Sequence, residues 1–257
     1  MKRMLPPIAP CLVAVSLVLM LASCASLDTV LETMATSAPL TEEEVSKGLR
    51  EALITGARNA AGDLSATNGY FGDRTVKILL PNEAKVIVDN LSKIPGGGKL
   101  VQKAILSINR AAEDAAREAT PIFVSSIKDM TLRDAFGILG GEADAATQYL
   151  HRTTYDLLYQ LYSPKIGNSI RKPLVANVST QDSWDALTGQ WNRFATSLAG
   201  RLAGFQPVET DLSSYLTEKA LEGMFVKIAE EERKIRTNIN ARVTPLLQRV
   251  FGSADKQ

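Results

Sequence analysis

Asn109, Arg110 and Glu113 lie within little more than one turn of a segment that otherwise reads as an alanine-rich helix, with Leu100, Ala104, Ile105, Ile108, Ala111, Ala112 and Ala115 as its apolar positions. Asn109 and Glu113, four residues apart, share a helix face, and Glu113 can pair with Arg110 or Arg117. This set supports two arrangements. Buried and fully satisfied, it would lock adjacent helices in register, because a half-paired polar network inside a protein is costly. Partly open, it would be a polar pocket for an anionic or amide-bearing small ligand. A hydrolase built on that pocket could draw a second acid from Asp134 or Asp144, since buried carboxyls with raised pKa values do acid–base work without histidine.

The remaining candidates are scattered. Asp134 and Asp144 flank Gly140-Gly141, with Glu142 between them, and a turn there could gather carboxylates around Ca²⁺ or Mg²⁺. The spacing fits no calcium loop, and capping accounts for the same residues: Thr131 and Asp134 read as a helix start, Asp144 as part of the next first turn. Thr147 and Tyr149 add hydroxyls with no base beside them, so no nucleophilic triad is assembled. Arg236 and Arg242 could grip a carboxylate or phosphate, or simply pair at helix ends. Trp184 and Trp191 share one helical face, as a platform or as core. His151 is the single histidine, which excludes a site built from several imidazoles. Gly96-Gly97-Gly98 before Lys99 lacks the spacing of a phosphate loop and reads as a turn. No cofactor and no metal are expected.

These residues sit behind an export signal. Lys2 and Arg3 precede an uncharged apolar run from Cys11 to Leu21, too short for the roughly 20 residues of a membrane span, and Leu21-Ala22-Ser23 leads into Cys24. That is a lipobox, with residues 1–23 as signal peptide and Cys24 as the acylated first residue of the mature chain. Ala25 in place of an aspartate favours the periplasmic face of the outer membrane. Cys11 leaves with the signal and Cys24 carries lipid, so no thiol remains for a disulfide, a zinc site or a nucleophile. Without Lys2 and Arg3, 27 basic side chains face 28 acidic ones. A neutral chain without a basic cluster argues against nucleic acid as a partner.

Periodicity then predicts an all-α fold. Residues 24–40 read as a lipidated tether, in which Leu27, Val30, Leu31 and Met34 recur at helical spacing; 41–252 as one multi-helix globular domain; 253–257 as a tail. A capping box at Thr41 and Glu44, with Leu40 and Val45 as its staple, opens the first helix of the domain. Alternation around Val76, Ile78 and Leu80 leaves room for one short β-strand or hairpin near residues 70–80. Further helices are expected over 82–94, from Leu100 to Ala115, from a Thr120 cap with Pro121 in the first turn, over 132–139 and 143–162, around Trp184 to Leu198, over 212–237 and over 241–251. Breaks are expected at Ser163-Pro164, 173–179, 202–207 and Gly252. Glu230 with Lys234 and Glu232 with Arg236 read as i,i+4 pairs on a solvated face.

Several of these stretches together resemble a bacterial domain-of-unknown-function family, number 4197. They are Gly48 to Leu53, Val76 to Pro81, Asn109 to Glu113, Pro121 to Gly141, Asp144 to Tyr149, Tyr215 to Asn238 and Ala241 to Gly252. The resemblance implies an exported or lipid-anchored helical domain and brings no activity or cofactor. The function expected is a non-enzymatic binding module, held to the membrane through lipid on Cys24 and directed at an envelope protein or cell-wall component.

Overall fold

The computed structural model describes residues 39–91 and 97–254. Cys24, most of the tether and the end of the tail lie outside them. From Glu42 onward the chain forms one compact unit. Its α-helices are α1 Glu42–Ser65, α2 Lys85–Leu91, α3 Gly97–Ala116, α4 Ala119–Asp129, α5 Ala135–Leu139, α6 Ala145–Ile170, α7 Thr180–Ala195, α8 Leu198–Leu202, α9 Leu212–Thr237 and α10 Pro245–Ala254. Short 3₁₀ turns, Asn82–Ala84 and Ile239–Ala241, precede α2 and α10.

The two helices at the centre are α1 and α9, whose apolar faces meet along most of their length. Val45, Leu49, Ala52, Leu53, Ala57, Ala60 and Leu64 on α1 are buried, as are Leu216, Ala220, Leu221, Met224 and Ile228 on α9. Small residues at four-residue intervals let backbones approach; a Cβ on Gly48 would stand 2.7 Å from a methyl of Val250 on α10. Around the central pair, α4 and α10 pack on α1, and α6 on α9, while α3 lies against both α6 and α1. The N-terminal half of α3 carries α2 and α7, and α7 is joined in turn to α8.

Several local expectations give way to packing. No strand forms among the described residues: 70–81 is an irregular strap without a partner strand, for a reason found on α3. Pro164 does not end a helix; α6 runs through it to Ile170, because Leu158, Tyr162, Ile166 and Ile170 are all buried and outweigh the one bond the ring removes. Gly97 and Gly98 form the first turn of α3 rather than a loop. Helix α4 starts at Ala119, ahead of Thr120, and α10 continues past Gly252 to Ala254. The loop at 173–179 folds as a two-residue turn with Ala176 and Asn177 both at positive φ and Val178 N–H bonded to Val175 C=O.

Candidate functional site

The Asn109–Glu113 face is turned inward. Asn109 is fully buried and Glu113 is 4% exposed. Asn109 takes the place of a β-strand partner for the strap: its Oδ1 accepts from Ile78 N–H at 2.9 Å and its Nδ2 donates to Ile78 C=O at 2.7 Å, with the second amide proton on Ile105 C=O. Side chain has replaced strand, which is why the alternating 76–80 segment stays single. One turn on, Glu113 Oε1 accepts the backbone N–H groups of Tyr70 (3.2 Å) and Phe71 (3.1 Å), and Oε2 pairs with Arg110, which also reaches Asn68 Oδ1. Tyr70 lies fully buried over Gly223 and donates its hydroxyl to Ala220 C=O at 2.7 Å. Burial and the nearby Tyr162 and Glu113 hold that phenol far above its ordinary range. A third tie, Lys227 to Asp73 at 2.6 Å, brings the Asp73 carboxyl down to about 2, the lysine hydrogen bond and then those of Thr75 being the causes. Asn109 and Glu113 therefore hold a 12-residue strap of their own chain, and Arg110 braces Glu113 and reaches Asn68 just ahead of it.

A second buried knot gathers Thr147 and Arg236 around a residue the sequence hides. Glu232, 1% exposed on α9, accepts from Ala146 N–H (3.0 Å), Thr147 N–H (2.7 Å) and Thr147 Oγ1 (2.6 Å). It caps α6 from another helix, in the place where Asp144 would be expected to do so; Asp144 instead accepts from the Gln148 side chain. Arg236 pairs with Glu232 and donates to the carbonyls of Leu139 (2.7 Å) and Ile138 (3.0 Å), closing the C-terminus of α5. Each charge thus meets the matching end of a helix dipole. Arg242, also buried, donates to Ile235 and Arg236 carbonyls at the end of α9. The reading of Glu232 and Arg236 as a solvated pair is corrected here. That pair forms but is buried, whereas Glu230 and Lys234 do not pair: Glu230 binds Lys227 and Lys234 binds Glu231.

The carboxylates flanking Gly140-Gly141 stand at separate helix starts, and of the two only that of Asp134 makes a capping hydrogen bond. Asp134, in the left-handed region at φ 57°, accepts Gly137 N–H at 3.0 Å, so close that a Cβ on Gly137 would fall 2.1 Å from its carboxylate. Tyr149 donates to Thr131 C=O at 2.8 Å. Among the described residues no group of three or more Asp, Glu, His or Cys side chains gathers to hold a metal ion. His151 packs at the surface on Phe225 and Tyr155. None of these clusters leaves a nucleophile facing a base.

Besides an opening lined by Asp144, Thr147, Gln148, His151 and Phe225, the described residues form an apolar cavity away from these candidates. A cavity of about 370 Å³ runs between α2, α3 and α7, walled by Ile87, Leu100, Ala104, Val178, Ala186, Leu187, Trp191 and Phe194. Trp184 and Trp191 are both buried, and Trp191 gives the cleft its aromatic wall, fixed by Nε1–H donation to Gln206 C=O at 2.9 Å and by ring contacts with Phe194 and Phe205. Beyond Phe194 the apolar surface continues over Leu198 and Leu202, 71% and 80% exposed on α8. Lys103, Asp182, Ser183 and Gln190 supply its polar groups. Apart from Trp184 and Trp191, none of these residues stood out in the sequence as a site candidate, since their spacing is that of ordinary amphipathic helices.

Residues 39–252 match a family described as proteins of unknown function, DUF4197. The chain belongs to that family. Neither a curated protein nor a solved structure matches it. In this DUF4197 protein the matched segment covers both buried polar knots and the cleft alike. Among the described residues no helix is long and apolar enough to cross a membrane.

Proposed function

We propose that the mature chain is a lipid-anchored domain of the cell envelope that acts by binding, with the α2–α3–α7 cleft receiving an apolar group presented by an envelope component. The observation that carries the binding half is the cleft itself: an apolar, aromatic-walled cavity of about 370 Å³, within the roughly 300–1,000 Å³ of ligand pockets. It is supported by the fate of the polar candidates, whose donors and acceptors are engaged in holding the strap and the α5–α6 connection. Anchoring rests on the lipobox ahead of Cys24, and Ala25 supports the periplasmic face of the outer membrane.

The two halves are tested separately. Expressed with an alkyne-tagged fatty acid, the full chain should carry label and sediment with outer membrane, and Cys24→Ala should lose both; label that survives the substitution, or an unlabelled native chain in the soluble fraction, overturns the anchoring, and a labelled chain in the inner-membrane fraction overturns the outer-membrane placement. Binding is read with the uncharged apolar dye N-phenyl-1-naphthylamine on the chain from residue 25, which carries the whole compact unit. Saturable dye uptake should disappear in Ala186→Trp, which builds an indole into the cleft from an exposed helix position. Uptake unchanged by that variant overturns the cleft.

A further inference from the structure

Resting on that reading of the cleft, we infer that its ligand is a fatty acid: a single alkyl chain in the apolar channel with its carboxylate at Lys103. The size points to one chain, since about 370 Å³ is at the small end of ligand pockets and too little for a two-chain phospholipid. The walls are aliphatic and aromatic, with Ile87, Leu187, Trp191 and Phe194 offering dispersion contacts and no directional demand. The charge at the lining is specific. Among the described residues Lys103 makes no ion pair and Gln190 no side-chain hydrogen bond, leaving an ammonium and an amide unspent beside an apolar cavity. Asp182, the acidic residue on the lining, is already engaged: its carboxylate accepts the Ser179 hydroxyl at 2.7 Å in the first turn of α7, where the helix dipole holds negative charge. A carboxylate head meeting Lys103 forms a charge-assisted hydrogen bond, and an uncharged head of equal length does not.

The test is competition against N-phenyl-1-naphthylamine by dodecanoate and by dodecanol, both below the concentrations at which they aggregate. Dodecanoate should displace the dye about tenfold better, the size of one charge-assisted hydrogen bond at a partly exposed site. Lys103→Met should erase that advantage while leaving dodecanol unchanged; Lys103 is exposed, so the variant keeps the fold. Equal displacement by acid and alcohol in the native chain overturns the fatty-acid assignment and leaves the cleft standing as an apolar site. Displacement by an amphipathic helical peptide but not by dodecanoate assigns the cleft to a protein partner instead. Dye uptake that ignores Ala186→Trp removes the cleft, and this inference with it.

Discussion

Glu113 and Glu232 each supply to backbone amides what a neighbouring strand or a local capping residue supplies elsewhere, and both do so from helices remote in sequence. Glu113 accepts two N–H groups from a strap more than 40 residues upstream, and Glu232 caps a helix 85 residues upstream. Removing the charge leaves those amides with a weaker acceptor and Arg110 without its partner. Glu113→Gln is therefore expected to cost about 2 kcal/mol or more in the unfolding free energy of the chain from residue 25, read by denaturant titration. A neutral outcome would show water reaching Tyr70 and Phe71 and would reopen the face to ligands. Polar residues at 109, 110 and 113 stood out in the sequence because they interrupt the alanine-rich stretch of their helix. What they touch was not legible, since the strap has no periodicity that would reveal its docking. Glu232 was hidden for the opposite reason: inside the run Glu230-Glu231-Glu232-Arg233-Lys234 a buried carboxylate has the same spelling as a solvated one.

At the scale of elements, helix side chains discipline the segments between helices. Asn192 repeats on α7 what Asn109 does on α3: its amide donates to Val208 C=O at 2.9 Å and accepts Val208 N–H at 2.7 Å, pinning the extended approach to α9. Two asparagines thus account for two extended segments that have no sheet, and the room left for a short strand near 70–80 goes unused because alternation reports two environments, not a paired edge. The long helices were legible from their 3.6-residue period, down to the bounds of α9. Where a local signal failed, burial had overruled it. Pro164 is the clearest case: exposed itself, it cannot donate to the Gln160 carbonyl, yet its neighbours keep α6 continuous. Pro164→Ala should restore that bond, gaining about 3 kcal/mol of helix propensity less about 1 kcal/mol of unfolded-state entropy, a net of about 2 kcal/mol in thermal or denaturant unfolding. A loss instead would mean that Pro164 shapes α6 for its contacts with both α3 and α9.

The whole molecule divides its packing unevenly. Helices α1, α9, α6 and α4 enclose one another, whereas α7 leans chiefly on α3 and α8, with the cleft taking the place of further contacts. Fewer buried partners mean a lower free energy of local opening, so backbone amides of α7 should exchange with deuterium faster than those of α1 and α9 under native conditions. A ligand filling the cleft bridges α7 to α2 and α3. It stabilises by RT ln(1 + [L]/Kd), about 2.7 kcal/mol at a hundredfold excess over Kd, and that gain should appear as slowed exchange in α7 and around Leu100–Ala104 before any change in the α1–α9 centre. Protection spread evenly over the molecule would mark global stabilisation without a role for the α7 lobe, and protection confined to α6 or the strap would move the binding site away from the cleft. Exchange mapped with and without dodecanoate thus sets the energetics of the fold against the proposed ligand cleft.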